Sequence, residues 1–141
     1  MAGQLTLRVL TPDKIVTDTV VESVRLPGLD GSIGVLPRHA HLVAALQDGL
    51  LRYRAGGVEA DLFVAGGFAE VRDGTVRVLT GASERVDQID VDRAREAEQR
   101  ARERLATHGE GGRHDEIDFL RAEAALRRAL MRQQLSGRGG R

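Results

Sequence analysis

The sequence predicts a β + α protein, in which an amino-terminal β-sandwich is followed by a carboxy-terminal antiparallel two-helix hairpin. In the first half, apolar residues alternate with polar ones, as at Leu5, Leu7 and Val9, and this is the period of a half-buried strand. Turn signals separate these alternating runs. After Asp87, apolar residues recur every three or four positions, which is the period of an amphipathic helix.

Turn signals divide the β half into short strands. They lie at Thr11-Pro12-Asp13, Asp48-Gly49, Gly56-Gly57 and Asp73-Gly74. The last three pairs lie between apolar runs and therefore predict hairpins. Strands at this spacing predict a sandwich or a flattened barrel. A unit of about 86 residues buries roughly 60–65% of its unfolded surface, which is enough to stand alone, and we assign residues 1–87 to this domain.

One run rich in glycine and proline, from Leu26 to His41, predicts an ordered loop, because glycine permits positive φ and proline fixes φ near −65°. A strand-like segment lies inside the run at 33–36, and an apolar strand follows it at 42–46. No common phosphate-binding pattern fits the run. The residues that we expect to shape the loop are Gly28, Gly31, Gly34, Pro37 and His39, with His39 hydrogen-bonded to the loop.

The second half predicts two helices. The first covers 90–106, with Asp90 as its N-cap and one apolar face formed by Val91, Ala94, Ala97, Ala101 and Leu105. A glycine-rich stretch at 108–114 ends it. Asp115 is placed to cap a second helix at 116–135, whose stripe contains Phe119, Ala122, Leu126, Ala129 and Leu130. The short connection predicts an antiparallel hairpin over 88–135, and residues 136–141 predict a disordered tail.

Composition excludes several classes of function. The chain has 141 residues, no cysteine and a net charge of zero, so disulfides, thiol catalysis and cysteine zinc sites are excluded, and nucleic acid is not expected as a partner. It has neither a signal peptide nor an apolar run of about 18 residues, so we expect a chain on the cytosolic side that does not span a membrane.

Two histidines raise the question of a metal site. His39 and His41 flank Ala40, and in a strand their side chains would share one face. A catalytic zinc needs a third ligand and an open position, and the remaining histidines lie in the interhelical stretch. We therefore expect no metal and no catalytic site, and a small metal-dependent enzyme is the weakest interpretation of the chain.

Arginines are spaced so that pairs of them share a helix face. Arg93 and Arg100 are seven residues apart, and Arg128 and Arg132 are four apart. An antiparallel hairpin would bring both pairs together, with Glu84 and Asp90 nearby. Four guanidiniums can bind a nucleotide polyphosphate or a partner's carboxylates. The alternative is a solvated face whose arginines pair with Glu96, Glu98, Glu103 and Glu123, and spacing alone leaves both interpretations open.

Several segments, taken in order, carry a resemblance to a known family. They are Leu5–Pro12, Leu26–Leu46, Gly66–Val71, Ile89-Asp-x-x-Arg-Ala94 and Ile117–Leu126. With the β-then-helical layout, this series resembles the epsilon subunit of F-type ATP synthases in bacteria. The resemblance covers nearly the whole chain.

The resemblance implies a non-catalytic subunit of the rotor, or central stalk, that helps to couple proton-driven rotation to ATP synthesis. Its β domain would sit on the gamma subunit and touch the ring of c subunits. The contacts with the c ring would include Asp30, Ser32 and Arg38, although Ser32 replaces an acidic residue of some relatives. The chain would be a peripheral protein on the cytoplasmic face of the bacterial plasma membrane.

The resemblance also implies a mobile hairpin. In this family the helices lie folded on the β domain or extend into the alpha/beta catalytic head, where they oppose ATP hydrolysis. No cofactor is required, but in some relatives regulatory ATP binds the folded hairpin. The matching positions here are Glu84, Asp90, Arg93, Arg100, Arg128 and Arg132. The competing interpretation is a stand-alone nucleotide-binding sensor that does not associate with gamma.

Overall fold

The computed structural model describes residues 3–107 and 113–137. The chain separates into two compact units, Met1–Val86 and Asp87–Arg141. The first unit contains the strands and the second the helices, so the predicted β + α class is confirmed. This division matters for function because the candidate nucleotide site lies largely on the second unit, whereas the candidate contacts with the rotor lie on the first.

Eight strands form the first unit, which follows from the alternating pattern of its sequence. They are β1 (Leu5–Leu10), β2 (Ile15–Val21), β3 (Ser23–Gly28), β4 (Gly31–Val35), β5 (Leu42–Ala55), β6 (Val58–Arg72), β7 (Thr75–Leu79) and β8 (Ser83–Arg85). In β1 every second residue is buried, and this burial matches the predicted period.

The strands form one continuous sheet in the order β2-β1-β7-β6-β5-β3-β4, with β8 paired to β6. Neighbours are antiparallel except β1 and β7, which are parallel. The sheet closes nearly completely into a sandwich. Its core is aliphatic and includes Leu7, Val9, Leu26, Leu51 and Leu62, each with no exposed surface.

Two of the three predicted hairpins are confirmed. Gly56 and Gly57 connect β5 to β6 with φ of 58° and 77°, and Asp73 and Gly74 connect β6 to β7 with φ of 49° and 75°. Positive φ at both central residues is typical of a type I′ turn. The predicted turn at Asp48-Gly49 is wrong: both residues lie inside β5, opposite Ala65 and Val64. A Cβ at residue 49 would lie 3.0 Å from Pro27 Cβ, a tight contact that glycine avoids.

Strand β6 makes a sharp irregularity at Gly66-Gly67. Both residues have positive φ, 62° and 99°, and the pairing with β5 passes from Leu46↔Gly67 to Asp48↔Ala65. A Cβ at position 67 would lie 1.9 Å from the carbonyl oxygen of Leu79. The backbone of β7 therefore approaches β6 at a distance that only glycine allows.

The second unit contains α1 (Val91–Thr107) and α2 (Arg113–Ser136). Asp90 is the N-cap of α1, as predicted, because its Oδ1 accepts a hydrogen bond of 3.1 Å from the backbone N–H of Arg93. Asp115 does not begin the second helix, since α2 starts two residues earlier. Ser136, which the sequence assigned to the tail, is the last residue of α2; residues 138–141 lie outside the described residues.

Candidate functional site

The two helices pack along a seam of small residues. Ala94 and Ala101 of α1, and Ala122 and Ala129 of α2, are 1–3% exposed. Members of each pair are seven residues apart and so lie on one face. Phe119 and Leu130, which the sequence placed in the buried stripe, are 42% and 41% exposed. Leu130 turns away from the seam because it follows the buried Ala129 by one residue, a rotation of about 100°.

A side-chain hydrogen bond between Gln133 and Glu98 crosses the hairpin. Gln133 Nε2 donates to Glu98 Oε2 over 2.6 Å, and Arg102 donates to the other oxygen of the same carboxylate over 2.9 Å. The hydrogen bond from Gln133, followed by that from Arg102, holds the pKa of Glu98 below its ordinary value. This contact also fixes the register of the helices.

That register leaves the start of α2 beyond the end of α1. With Glu98 opposite Gln133, an antiparallel pair places Thr107, the last residue of α1, level with Ala124. About ten residues of α2 therefore precede the stretch that α1 covers. Ile117, Phe119 and Leu120 lie in this part of α2, and each is more than 40% exposed.

The predicted arginines share one side of the hairpin. Arg93 and Arg100 each precede a buried alanine of α1 by one residue, and Arg128 precedes Ala129 of α2 in the same way. In a pair of antiparallel helices, a residue that directly precedes a buried one points to the same side on both helices. These arginines therefore share one side of the hairpin, and Arg132 lies on that side as well. The Glu98–Gln133 bond lies on the opposite side. Arg93 and Arg100 are exposed, whereas Arg128 and Arg132 are half-buried.

Two acidic residues were predicted to join these arginines. Asp90 directly precedes α1 and holds the backbone N–H of Arg93. Glu84 belongs to the other unit, on β8, opposite Phe63 of β6. The sequence reasoning missed Arg104, which follows Arg100 by one helical turn and so lies on the same side. The signal that could have identified Arg104 was its spacing, because it lies seven plus four residues after Arg93 and therefore on the same helix face.

The three predicted c-ring residues do not form one cluster. Asp30 lies in the turn between β3 and β4, and Ser32 is the second residue of β4; both are exposed. Arg38 lies beyond the other end of β4. Because β4 has five residues at about 3.3 Å each, roughly 16 Å of strand separates the two ends. Asp30 and Ser32 share one end of the domain, and Arg38 does not join them.

The predicted loop glycines, proline and histidine serve two separate turns. Gly28 and Gly31 are paired at the β3–β4 turn, while Gly34 lies in β4 opposite Arg25. The second turn is closed by a 3.1 Å hydrogen bond from the N–H of His39 to the oxygen of Leu36. Pro37 and Arg38 are its central residues, and Arg38 has φ of 67°, as in a type II turn.

The two histidines lie in the predicted loop before β5 and not in a strand, so they lack the geometry in which their side chains would share one face. The His39 ring Nδ1 lies 2.7 Å from the oxygen of Ala40, and the His41 Nε2 lies 3.3 Å from the carboxylate of Asp73. Over residues 3–107 and 113–137, no three side chains of the metal-ligating types come together. In the same part of the chain, no helix is long and apolar enough to cross a bilayer.

Two family models match the two units. The model of the ATP synthase delta/epsilon chain β-sandwich domain matches residues 4–86, and that of the long α-helix domain matches residues 87–137. The fold and the two matches define a two-domain, non-catalytic subunit of a rotary ATP synthase.

Relatives with assigned names specify the subunit. The chain is 48% identical to the ATP synthase epsilon chain of Nitratidesulfovibrio vulgaris over 75% of this chain and 79% of that one. It is 46% identical to the epsilon chain of Desulforamulus reducens over 77% of this chain and 83% of that one. The chain therefore belongs to the ATP synthase epsilon family, whose members are subunits of the central stalk.

Solved structures agree with this assignment. A chain in the Euglena gracilis mitochondrial ATP synthase, in a structure of OSCP, F1 and c-ring, aligns with a TM-score of 0.71 and 25% identity over 91% of this chain and 78% of that chain. A central stalk and c-ring structure from Tetrahymena thermophila shares the fold, with a TM-score of 0.61 and 13% identity over 94% of this chain and 97% of that chain. The chain thus belongs to a membrane-bound complex.

Proposed function

We propose that the hairpin of this epsilon subunit is a regulatory arm that opposes ATP hydrolysis when it extends into the alpha/beta catalytic head. Nucleotide bound to the arginine side holds the arm folded. The observation that carries the proposal is the alignment of Arg93, Arg100, Arg128 and Arg132 along one side of a hairpin whose seam is alanine. Guanidiniums bind phosphate through paired hydrogen bonds, and an alanine seam buries little apolar surface that would resist opening.

Isothermal titration of the full chain with ATP tests the nucleotide site. Arg93→Ala and Arg128→Ala should each weaken binding more than about tenfold, because each removes a charged hydrogen-bond donor. Arg95→Ala is the matched control, since Arg95 follows Ala94 by one residue and therefore lies on the opposite side of α1. Absence of binding at millimolar ATP would overturn nucleotide control, and equal losses in all three variants would move the site elsewhere.

ATP hydrolysis by the reconstituted catalytic head tests the arm itself. The full chain should suppress hydrolysis, whereas a truncation that ends at Asp87 should bind gamma without suppressing it. If neither chain alters the rate although both bind, the hairpin is not inhibitory and the chain acts as a coupling element. If neither binds, the proposed role in the stalk fails.

For the β domain, we propose that gamma docks on an exposed apolar face of β5, β6 and β7. Val43, Phe68 and Leu79 are 70%, 59% and 52% exposed. Phe68 is paired with Ala45 on one side and with Leu79 on the other, so this row is apolar across the three strands, while Glu70 is the partner of Val43 at its border. Contiguous exposed apolar surface is typical of a protein interface.

A charge placed on this face tests gamma docking. Phe68→Glu should abolish co-purification with gamma, because burying an unpaired carboxylate in an apolar interface is costly. Val58→Glu is the control, since Val58 is 68% exposed at the far end of β6. Retained binding by Phe68→Glu would place the interface elsewhere.

The β3–β4 turn, with exposed Asp30 and Ser32, is the proposed contact with the c ring, which would orient the domain at the cytoplasmic face of the plasma membrane. Arg38 lies at the opposite end of β4 and is a weaker candidate for the same contact. Cross-linking from a cysteine at position 30 to c in assembled membranes, compared with one at position 58, would test this orientation. Equal yields would contradict it.

A further inference from the structure

The β domain has an open cleft that none of the proposed contacts uses. It has a volume of about 640 Å³ and is lined by β3, β5, the end of β4, the residue after β4 and one acidic residue of β6, Glu59. Three arginines, Arg25, Arg52 and Arg54, line it together with the apolar side chains of Leu36 and Leu50. A cleft of this size can bury several side chains of a ligand.

One of the three arginines in the cleft has no acidic partner among the described residues. Arg25 and Arg52 are direct partners across β3 and β5, and like charges in such a pair repel. Arg52 binds both carboxylate oxygens of Asp61, at 2.7 and 2.9 Å, and lies 3.9 Å from Glu59. Arg54 lies 3.4 Å from Glu22. The Arg25 side chain makes no hydrogen bond or ion pair with any residue in 3–107 or 113–137. The guanidinium without an acidic partner is therefore that of Arg25.

Space and apolar surface adjoin this guanidinium. Gly34 is the partner of Arg25 on β4, and a Cβ at position 34 would meet nothing within 4 Å, so the wall of the cleft is open there. Leu36 lines the cleft while remaining 62% exposed. A ligand with one anionic group beside an apolar group would match both features. A polyphosphate matches less well, because two of the three guanidiniums already hold carboxylates.

We propose that this cleft is a docking site for a segment of a partner protein that carries an acidic side chain beside an apolar one. The carboxylate binds Arg25 and relieves its repulsion with Arg52, and the apolar side chain packs on Leu36 and Leu50. This site is separate from the arginines of the hairpin and does not depend on nucleotide binding there. It shares β5 with the exposed face around Phe68 but uses residues 50–54 of that strand, whereas the exposed face uses Val43.

Nuclear magnetic resonance of the labelled full chain tests the proposal. The probe is the blocked tetrapeptide Leu-Asp-Glu-Leu, and its comparison is the uncharged Leu-Asn-Gln-Leu. We expect the acidic peptide to shift the Arg25 Nε–Hε and Leu36 methyl resonances in a saturable way, and the uncharged peptide to bind at least about fivefold more weakly. Arg25→Gln should abolish the shifts. Arg72→Gln, which changes an exposed arginine paired with Asp73, should leave them intact.

A second variant shows whether the loss of shifts in Arg25→Gln reflects lost binding or a change of fold. Leu36→Ser keeps Arg25 and should weaken the acidic peptide severalfold through loss of apolar contact. Equal shifts with both peptides, or unchanged binding by Arg25→Gln, would overturn the proposal. If inorganic phosphate or ATP displaces the peptide and binds more tightly, the cleft is a small-anion site and the docking proposal is wrong.

Discussion

The two units of the chain are built from different contacts. The β domain buries large aliphatic side chains such as Leu7, Leu51 and Leu62, and each fully buried leucine contributes about 1.5–3 kcal/mol. In the described parts of the two helices, four buried positions are alanines, whose single methyl groups contribute less, and the remaining one is Leu135, which is 4% exposed. The β domain therefore has a large aliphatic core, whereas the two helices bury mainly alanine methyl groups and one leucine. An arm that changes conformation requires the second kind of packing.

Truncation of a core leucine in the β domain should have the largest effect on stability. Leu7→Ala should lower the free energy of unfolding by about 2–5 kcal/mol, because it leaves a cavity in a fully buried site. Tyr53 is the only tyrosine, and the chain has no tryptophan, so tyrosine fluorescence during urea unfolding reports this domain alone. Leu79→Ala, at a 52% exposed position, is the control. Similar losses in both variants would contradict the contrast between core and surface.

A smaller effect of opposite sign is expected at Arg38. Arg38 has φ of 67°, a conformation that costs a residue with a Cβ about 1 kcal/mol, so Arg38→Gly should stabilise the β domain by about that amount. The urea unfolding transition, followed by tyrosine fluorescence, measures this change in stability. Arg72→Gly, in the last position of β6, should instead destabilise the domain. A loss of stability in Arg38→Gly would mean that the side-chain contacts of Arg38 outweigh its backbone strain.

The smallest effect is expected in the hairpin. The folded-state pKa of Glu98 is lowered, chiefly by Gln133, so its contribution is present at neutral pH and is lost as pH falls through that lowered pKa, below the ordinary carboxyl value near 4.3. Gln133→Ala should lower the thermal midpoint of helix unfolding at pH 7, followed by circular dichroism. The difference from the original chain should shrink in acid.

Gln134→Ala, which changes an exposed neighbour, is the matched control for this measurement. Equal shifts in the two variants, or a difference that persists unchanged in acid, would show that the Glu98–Gln133 bond does not hold the helices together. The helices would then be held together by their alanine seam without a contribution from that hydrogen bond.

Local patterns in the sequence predicted local structure well. The turns at Gly56-Gly57 and Asp73-Gly74, and the N-cap at Asp90, depend on residues next to one another in the chain. The turn predicted at Asp48-Gly49 was wrong because Gly49 lies inside β5, where a Cβ would crowd Pro27, twenty-two residues away in the sequence. Glycine occurs both in turns and where the chain approaches a neighbour closely within a sheet, so the residue type alone does not distinguish the two.

Contacts between distant residues could not be predicted. The pairing of Glu98 with Gln133 sets how far α2 extends beyond α1, and it explains why Phe119 is exposed although the helical period placed it in the stripe. The cleft around Arg25 arises from the pairing of β3 with β5, a register that periodicity does not specify. Candidate residues within one helix were found from spacing, whereas sites assembled from several strands were not.

The close approach at Gly67 also has a consequence for how this chain can evolve. No single change in a glycine codon can alter the amino acid without adding a Cβ, and at position 67 that atom would lie 1.9 Å from the oxygen of Leu79. Position 34, where a Cβ would meet nothing within 4 Å, has room for another residue. Mutational scanning should therefore find position 67 closed to every replacement while position 34 accepts small ones.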